Sequence, residues 1–170
     1  VVGQALGIGW GRVRIIKPYI GGGFGNKQDI LYEPLCAWLC MQLGGHLVKL
    51  DIPREDTFAS NRVRHSIRNH IISWVRPDGT YAARKLEAFS DQGAYASHGH
   101  SIVAKGAGAF PQLYPCDHVE VDAYTVFTNK SVAGAMRGYG IPQAMWAVEC
   151  HTEDVAAKMG MDSLEFRRMN

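Results

Sequence analysis

The stretch Ser66-Ile67-Arg68-Asn69-His70-Ile71-Ile72-Ser73-Trp74-Val75-Arg76-Pro77-Asp78-Gly79-Thr80-Tyr81-Ala82-Ala83-Arg84-Lys85-Leu86-Glu87-Ala88-Phe89-Ser90 decides the fold. Two long β segments, 66–76 and 80–90, flank Pro77-Asp78-Gly79. Proline supplies a fixed φ and glycine a left-handed residue, which a tight turn needs, so the stretch predicts a β-hairpin. Outward from it the signals change period. Upstream, Leu31, Leu35, Trp38, Leu39 and Gln42 recur at helical spacing over 31–43, with Pro34 in the first turn and Gly44-Gly45 at the end. Leu47 to Ile52 predicts a short strand stopped by Pro53, and the alternation after Gly11, through Val13 and Ile15, predicts a strand leading into a glycine cluster. Downstream, 102–110 predicts a short helix, 119–127 a strand, 131–140 a loop and 142–158 a helix ended by Gly160. Asp162 with Glu165 three residues on has the form of a capping box before a last helix. Hairpins and separate helices together predict an α+β fold, with mixed strands packed on three or four helices.

The composition narrows the function classes. Of 170 residues, 18 are basic and 16 acidic, a net charge of +2 that offers no electrostatic case for binding nucleic acid or an anionic membrane. The apolar runs are far short of the roughly 20 residues that span a bilayer, and the opening Val1-Val2-Gly3-Gln4 has no signal-peptide pattern. The chain starts without Met and stops just after a helical pattern, and it is read as a piece of a longer polypeptide. Cys36 and Cys40 share a helix face at i, i+4 without a second pair at zinc-like spacing and are read as two small buried side chains, and none of Cys36, Cys40, Cys116 and Cys150 demands a disulfide, which fits a cytoplasmic setting.

Two glycine-rich loops precede helices. In Gly21-Gly22-Gly23-Phe24-Gly25-Asn26-Lys27 the glycines let a backbone approach a ligand closely. Asn26 intervenes where a phosphate loop needs Lys, and it breaks the dinucleotide fingerprint. In Gly134-Ala135-Met136-Arg137-Gly138-Tyr139-Gly140-Ile141-Pro142-Gln143 a lone Arg and Tyr sit between glycines, suited to an anion or a ring. Each loop taken alone is equally a structural turn.

Taken together the loops resemble the two signature loops of the xanthine oxidase/aldehyde oxidase family, 113 residues apart from Phe24 to Arg137. Asp91-Gln92-Gly93-Ala94-Tyr95 resembles that family's D-x-G-A-Y strand end, and Leu164-Glu165-Phe166-Arg167-Arg168-Met169-Asn170 its L-E-[FL]-R-x-x-N helix. The resemblance covers residues 1–170 as one domain-sized piece of the molybdopterin-binding region, nearest to bacterial xanthine dehydrogenase-like subunits.

The resemblance implies a molybdenum hydroxylase that oxidises an sp² carbon of a purine or similar N-heterocycle with water-derived oxygen. It implies molybdenum-molybdopterin, in the cytosine dinucleotide form, and iron–sulfur and FAD domains or subunits as partners. Phe24, Gly25 and Arg137 match the cofactor-contacting positions, and the Gly25 N–H is expected to donate to an oxygen of the cofactor. No side chain is expected to ligate metal directly. Gln28, Lys105 and Tyr139 match substrate positions. Gln28 stands where the best-known purine enzymes carry Glu, and Lys105 where they carry Arg, while Tyr139 replaces an aromatic that packs on the substrate ring. Lys105 by itself is equally a solvated surface lysine. The family's catalytic Glu lies in a downstream G-x-G-E segment absent from these residues, so the isolated chain is expected to be inactive. Alternatives are an aldehyde-, nicotinate- or carbon monoxide-oxidising member of the family, or a non-catalytic scaffold. His98 and His100 lack a third ligand and fit a substrate funnel. His65 and His70, amid Arg62, Arg64 and Arg68, are expected on a basic surface or subunit contact.

Overall fold

The computed structural model describes residues 1–170, which divide into two compact units, Val1–Asn61 and Arg62–Asn170.

In the first unit, α1 (Val2–Leu6) ends at Gly7 in the left-handed region, and a 3₁₀ turn follows at Trp10–Arg12. Helix α2 (Glu33–Gln42) lies within its predicted bounds, with Pro34 in the first turn, and Gly44 and Gly45 carry the chain off it at positive φ. Helix α3 (Arg54–Ser60) begins right after Pro53, with Glu55 and Asp56 in its first turn. The two strands predicted here do not form. Residues 13–18 and 47–52 belong to no β-ladder. Alternation gives an extended chain, but a strand needs a hydrogen-bonded neighbour. Ile15 and Ile16 are both exposed, so the alternation separates no faces, and Leu47 is 98% exposed. The Val48 carbonyl accepts instead from the Cys36 thiol.

The second unit is built on the hairpin. Strand β1 (Ser66–Val75) pairs antiparallel with β2 (Tyr81–Gly93). At the turn Arg76 N–H donates to Thr80 O, Gly79 adopts φ 93°, and Asp78 accepts from the Thr80 N–H at 2.9 Å. Helix α4 (Gly99–Ala109) and a 3₁₀ turn (Phe110–Gln112) then cross to β3 (His118–Phe127), which pairs parallel to β2. The sheet order β1-β2-β3 is therefore mixed. Helix α5 (Ile141–Met159) ends at Gly160 with φ 68°, and α6 (Ser163–Met169) follows. Asp162 caps α6 by accepting from Leu164 and Glu165 N–H, but Glu165 turns its carboxylate to Arg168 rather than completing the box. The fold is α+β with six helices, two more than the upper count expected, because the short α1 and α3 lack the apolar periodicity that marks longer helices.

The core lies between the sheet and α4, α5 and α6. Leu86 and Ala88 point inward from β2, against Val103 and Ala107 of α4, Val148 and Ala156 of α5, and Phe166 of α6. Phe110 and Phe166 are fully buried, each contributing about 2–3 kcal/mol of hydrophobic stabilisation. No helix is long and apolar enough to cross a membrane.

Candidate functional site

The first glycine loop makes two successive turns. Asn26 N–H donates to Gly23 O at 2.9 Å and Gln28 N–H to Gly25 O at 3.2 Å. Phe24 (φ 52°) and Gly25 (φ 104°) occupy the inside of the first turn. A left-handed Phe costs roughly 1–2 kcal/mol, and the turn places its ring back over Gly22, where a Cβ would lie 2.8 Å from Phe24 Cε2. The Phe24 side chain remains 60% exposed, and Lys27 and Gln28 are exposed beyond it. Asn26 Oδ1 is buried without a hydrogen-bond partner. A glycine-lined backbone at left-handed φ, beside a buried acceptor, fits a polar group bearing both oxygens and N–H donors.

The second loop belongs to the other unit. Gly138 (φ 91°), Tyr139 (φ 51°) and Gly140 (φ 93°) are three consecutive left-handed residues. Tyr139 N–H donates to Met136 O at 2.7 Å and Ile141 N–H to Gly138 O at 3.1 Å. Gly140 is the residue before α5 and lies hard against α4: a Cβ on it would strike the Ile102 carbonyl oxygen, and one on Gly106 would meet Gly140 O at 2.8 Å. Upstream, the loop is pinned on both sides. Gly134 N–H donates to Val63 O and Ala133 N–H to Gln92 O.

This packing brings three of the sequence-predicted positions to one region of the second unit. The Tyr139 ring meets the His98 imidazole edge-on, with centroids 6.2 Å apart. His98 heads α4, and Lys105 rides exposed on the same helix, next to the Gly106 that touches Gly140. Arg137 is exposed on the loop itself. An exposed guanidinium on a fixed backbone suits an anionic or oxygen-rich ligand. Phe24, Gly25 and Gln28 stand in the first unit.

The region around the loop holds residues that the sequence did not single out correctly. His65 is buried, not part of a basic surface. Its Nδ1 lies 2.9 Å from Ser90 Oγ, and its backbone oxygen accepts from Gln143 Nε2 at 3.0 Å. Flanking arginines masked this burial, because β1 alternates and His65 falls on the inner side just before it. The Asp91 of the strand-end motif is structural. Its carboxylate accepts from Lys130, Thr128 and the Gly93 N–H, and the Lys130 and Thr128 bonds bring its pKa down to about 2.

Burial holds the His65 imidazole below its ordinary pKa of 6.5, against the pull of Asp91, and burial does the same to His151 on α5. The folded state therefore binds fewer protons than the unfolded state just below that value. The stability these histidines contribute is complete above the unfolded pKa and is lost as pH falls through the depressed folded one. The melting temperature should drop between roughly pH 7 and pH 5, and His65→Gln, which keeps a neutral hydrogen-bonding group, should flatten that slope. A slope identical in both proteins, measured by thermal melts across the range, removes His65 as a cause.

The chain as a whole is similar to known proteins. A family model described as the molybdopterin cofactor-binding domain matches residues 1–170. The xanthine dehydrogenase molybdenum-binding subunit of Escherichia coli O157:H7 is 46% identical over 170 residues, all of this chain and 23% of that protein. The nicotinate dehydrogenase large molybdopterin subunit of Eubacterium barkeri is 35% identical over 159 residues, 94% of this chain and 37% of that protein. The aldehyde oxidoreductase of Desulfovibrio gigas superposes with a TM-score of 0.78 at 32% identity, over 89% of this chain and 16% of that one. The chain thus spans about a quarter of the length of its xanthine dehydrogenase relative.

Proposed function

Because the chain belongs to the molybdopterin cofactor-binding domain family, we propose that it forms part of the cofactor and substrate wall of a molybdenum hydroxylase acting on a purine or similar N-heterocycle. The observation that carries this reading is the 46% identity, across the whole chain, to a xanthine dehydrogenase molybdenum-binding subunit. The reaction replaces a ring C–H by C–OH, taking oxygen from water and releasing two electrons and two protons to an acceptor. The bound molybdenum cofactor supplies the two-electron chemistry, and the chain's own residues bind and orient.

Phe24, Gly25 and Arg137 would hold the cofactor: the Gly25 backbone through its N–H, and Arg137 through its guanidinium, a planar fork of donors for oxygens. Tyr139, braced by His98, offers a ring face to a flat substrate. Lys105 offers a cation to negative charge developing on a ring oxygen. Gln28 offers a donor and an acceptor but no exchangeable proton. The cytosine dinucleotide form of the cofactor, iron–sulfur and FAD partners, and a cytoplasmic location complete the proposal; the four free thiols support the last.

The test is an assay of the full-length subunit with its partner subunits on hypoxanthine, xanthine, nicotinate and aldehydes. The highest kcat/KM is expected on a purine; the highest value on nicotinate or an aldehyde overturns the substrate class. Gln28→Glu adds a carboxylate at a substrate position and should raise kcat/KM on hypoxanthine or xanthine relative to the other substrates by about tenfold. Unchanged ratios remove Gln28 from the substrate site. The isolated 170-residue chain is expected to show no hydroxylation.

A further inference from the structure

We propose that Arg64 and Gln143 are positioning residues that fix the direction in which Arg137 leaves its loop. This rests on the assignment of Arg137 to the cofactor. Arg64 Nη2 donates to the backbone oxygen of Arg137 at 2.8 Å, and Nη1 of the same guanidinium donates to Gln143 Oε1 at 3.2 Å. The Gln143 amide is itself anchored, because its Nε2 donates to His65 O at 3.0 Å. One planar fork therefore ties the last residue before the left-handed run 138–140 to the first turn of α5, and both to the chain just before β1.

The bond to the Arg137 oxygen sets the peptide plane between residues 137 and 138. That plane defines ψ of Arg137, and with it the aim of the Cα–Cβ bond. Gly138 and Gly140 flank Tyr139 at positive φ, and a glycine is otherwise free to rotate. Without the clamp, the 137–138 plane can turn at the cost of one hydrogen bond. Lysine at position 64 would keep the charge but lose the fork that spans two acceptors. Arg64 is exposed and fills no core volume, so its removal separates aim from fold.

The experiment uses the full-length subunit assembled with its partners and measures molybdenum per subunit, kcat/KM and melting temperature. Arg64→Ala is expected to lower molybdenum content or kcat/KM about tenfold, the scale of losing a residue that orients a cofactor contact, with the melting temperature close to that of the parent. Arg64→Lys should recover part of the loss. On an Arg137→Ala background Arg64→Ala should add less than about twofold, because a positioning residue has nothing left to position. An equal loss on both backgrounds overturns the proposal in favour of a fold effect. So does an Arg64→Ala protein with molybdenum and kcat/KM within twofold of the parent, where Arg137→Ala has lost both. If Arg64→Ala fails to assemble, Gln143→Leu unties the guanidinium from α5 and is held to the same outcomes. Arg137→Ala retaining full molybdenum and activity overturns the cofactor assignment and the clamp with it.

Discussion

Arg84→Ala is expected to cost the second unit about 3 kcal/mol or more, lowering its melting temperature by roughly 10 °C. Arg84 is 1% exposed on the inner face of β2 and has no carboxylate partner. Its Nη1 donates to three backbone oxygens, Leu113 at 2.5 Å, Tyr114 at 2.8 Å and Phe110 at 3.4 Å. These carbonyls lie in and just past the 3₁₀ turn that follows α4, where a cation meets the negative end of the helix. The guanidinium also lies 4.2 Å from the Phe110 ring centroid, 5.0 Å from that of Tyr81 and 5.8 Å from that of Tyr114. Burial lowers the Arg84 pKa, yet the ordinary value is so high that the group stays charged. Alanine removes the donor, leaves carbonyls without their partner and opens a cavity among the rings. Arg84→Met keeps much of the volume and sheds the cost of burying charge, so it should fall between parent and alanine. Thermal melts of the three proteins decide the matter. An alanine variant melting within about 3 °C of the parent would mean that the carbonyl bonds contribute nothing net.

Gly140→Ala is the second large effect, at about 3 kcal/mol or more. Two costs combine there. The residue sits at φ 93°, which an L-side chain rarely adopts, and its Cβ would strike the carbonyl oxygen of Ile102. That oxygen belongs to the backbone of α4 and cannot swing aside as a side chain could. Gly160 provides the control. It also has positive φ, at 68°, but a Cβ there meets nothing within 4 Å. Gly160→Ala should therefore cost only about 1 kcal/mol. Denaturation of the two variants side by side isolates the steric part, and equal losses would show that the contact with Ile102 carries none of it.

The legible parts of the fold are those written in local chemistry. Pro77-Asp78-Gly79 announces the hairpin, Gly160 ends α5, and Asp162 caps α6. The acidic first turn of α3 after Pro53 was also a readable start signal, although the segment lacks apolar periodicity. The parallel pairing of β3 to β2 was not readable, because it depends on how α4 crosses the sheet. Nor was the burial of Arg84 and His65, whose neighbours in space lie far away in sequence. Strand signals at 13–18 and 47–52 failed for the converse reason: a local pattern needs a distant partner. In the candidate site, Gly25, Gly138 and Gly140 advertised their backbone geometry, and all three are at positive φ. Phe24 and Tyr139 share that geometry, but an aromatic side chain gives no warning of it. Gln28 and Lys105 are exposed, and no local pattern in the chain marks either one out.

The close approach of Gly106 to Gly140 has a consequence for how such a protein can diverge. Position 106 tolerates no side chain without moving the Arg137 loop, so drift there is closed off. Position 105, one residue earlier on the same helix, faces outward and bears no such restraint. A lineage can exchange one charge or donor for another at 105 while the mount beneath stays in register. The helix thus sets a position closed to any side chain beside one open to exchange, so its outer surface can vary without disturbing its seat on the loop.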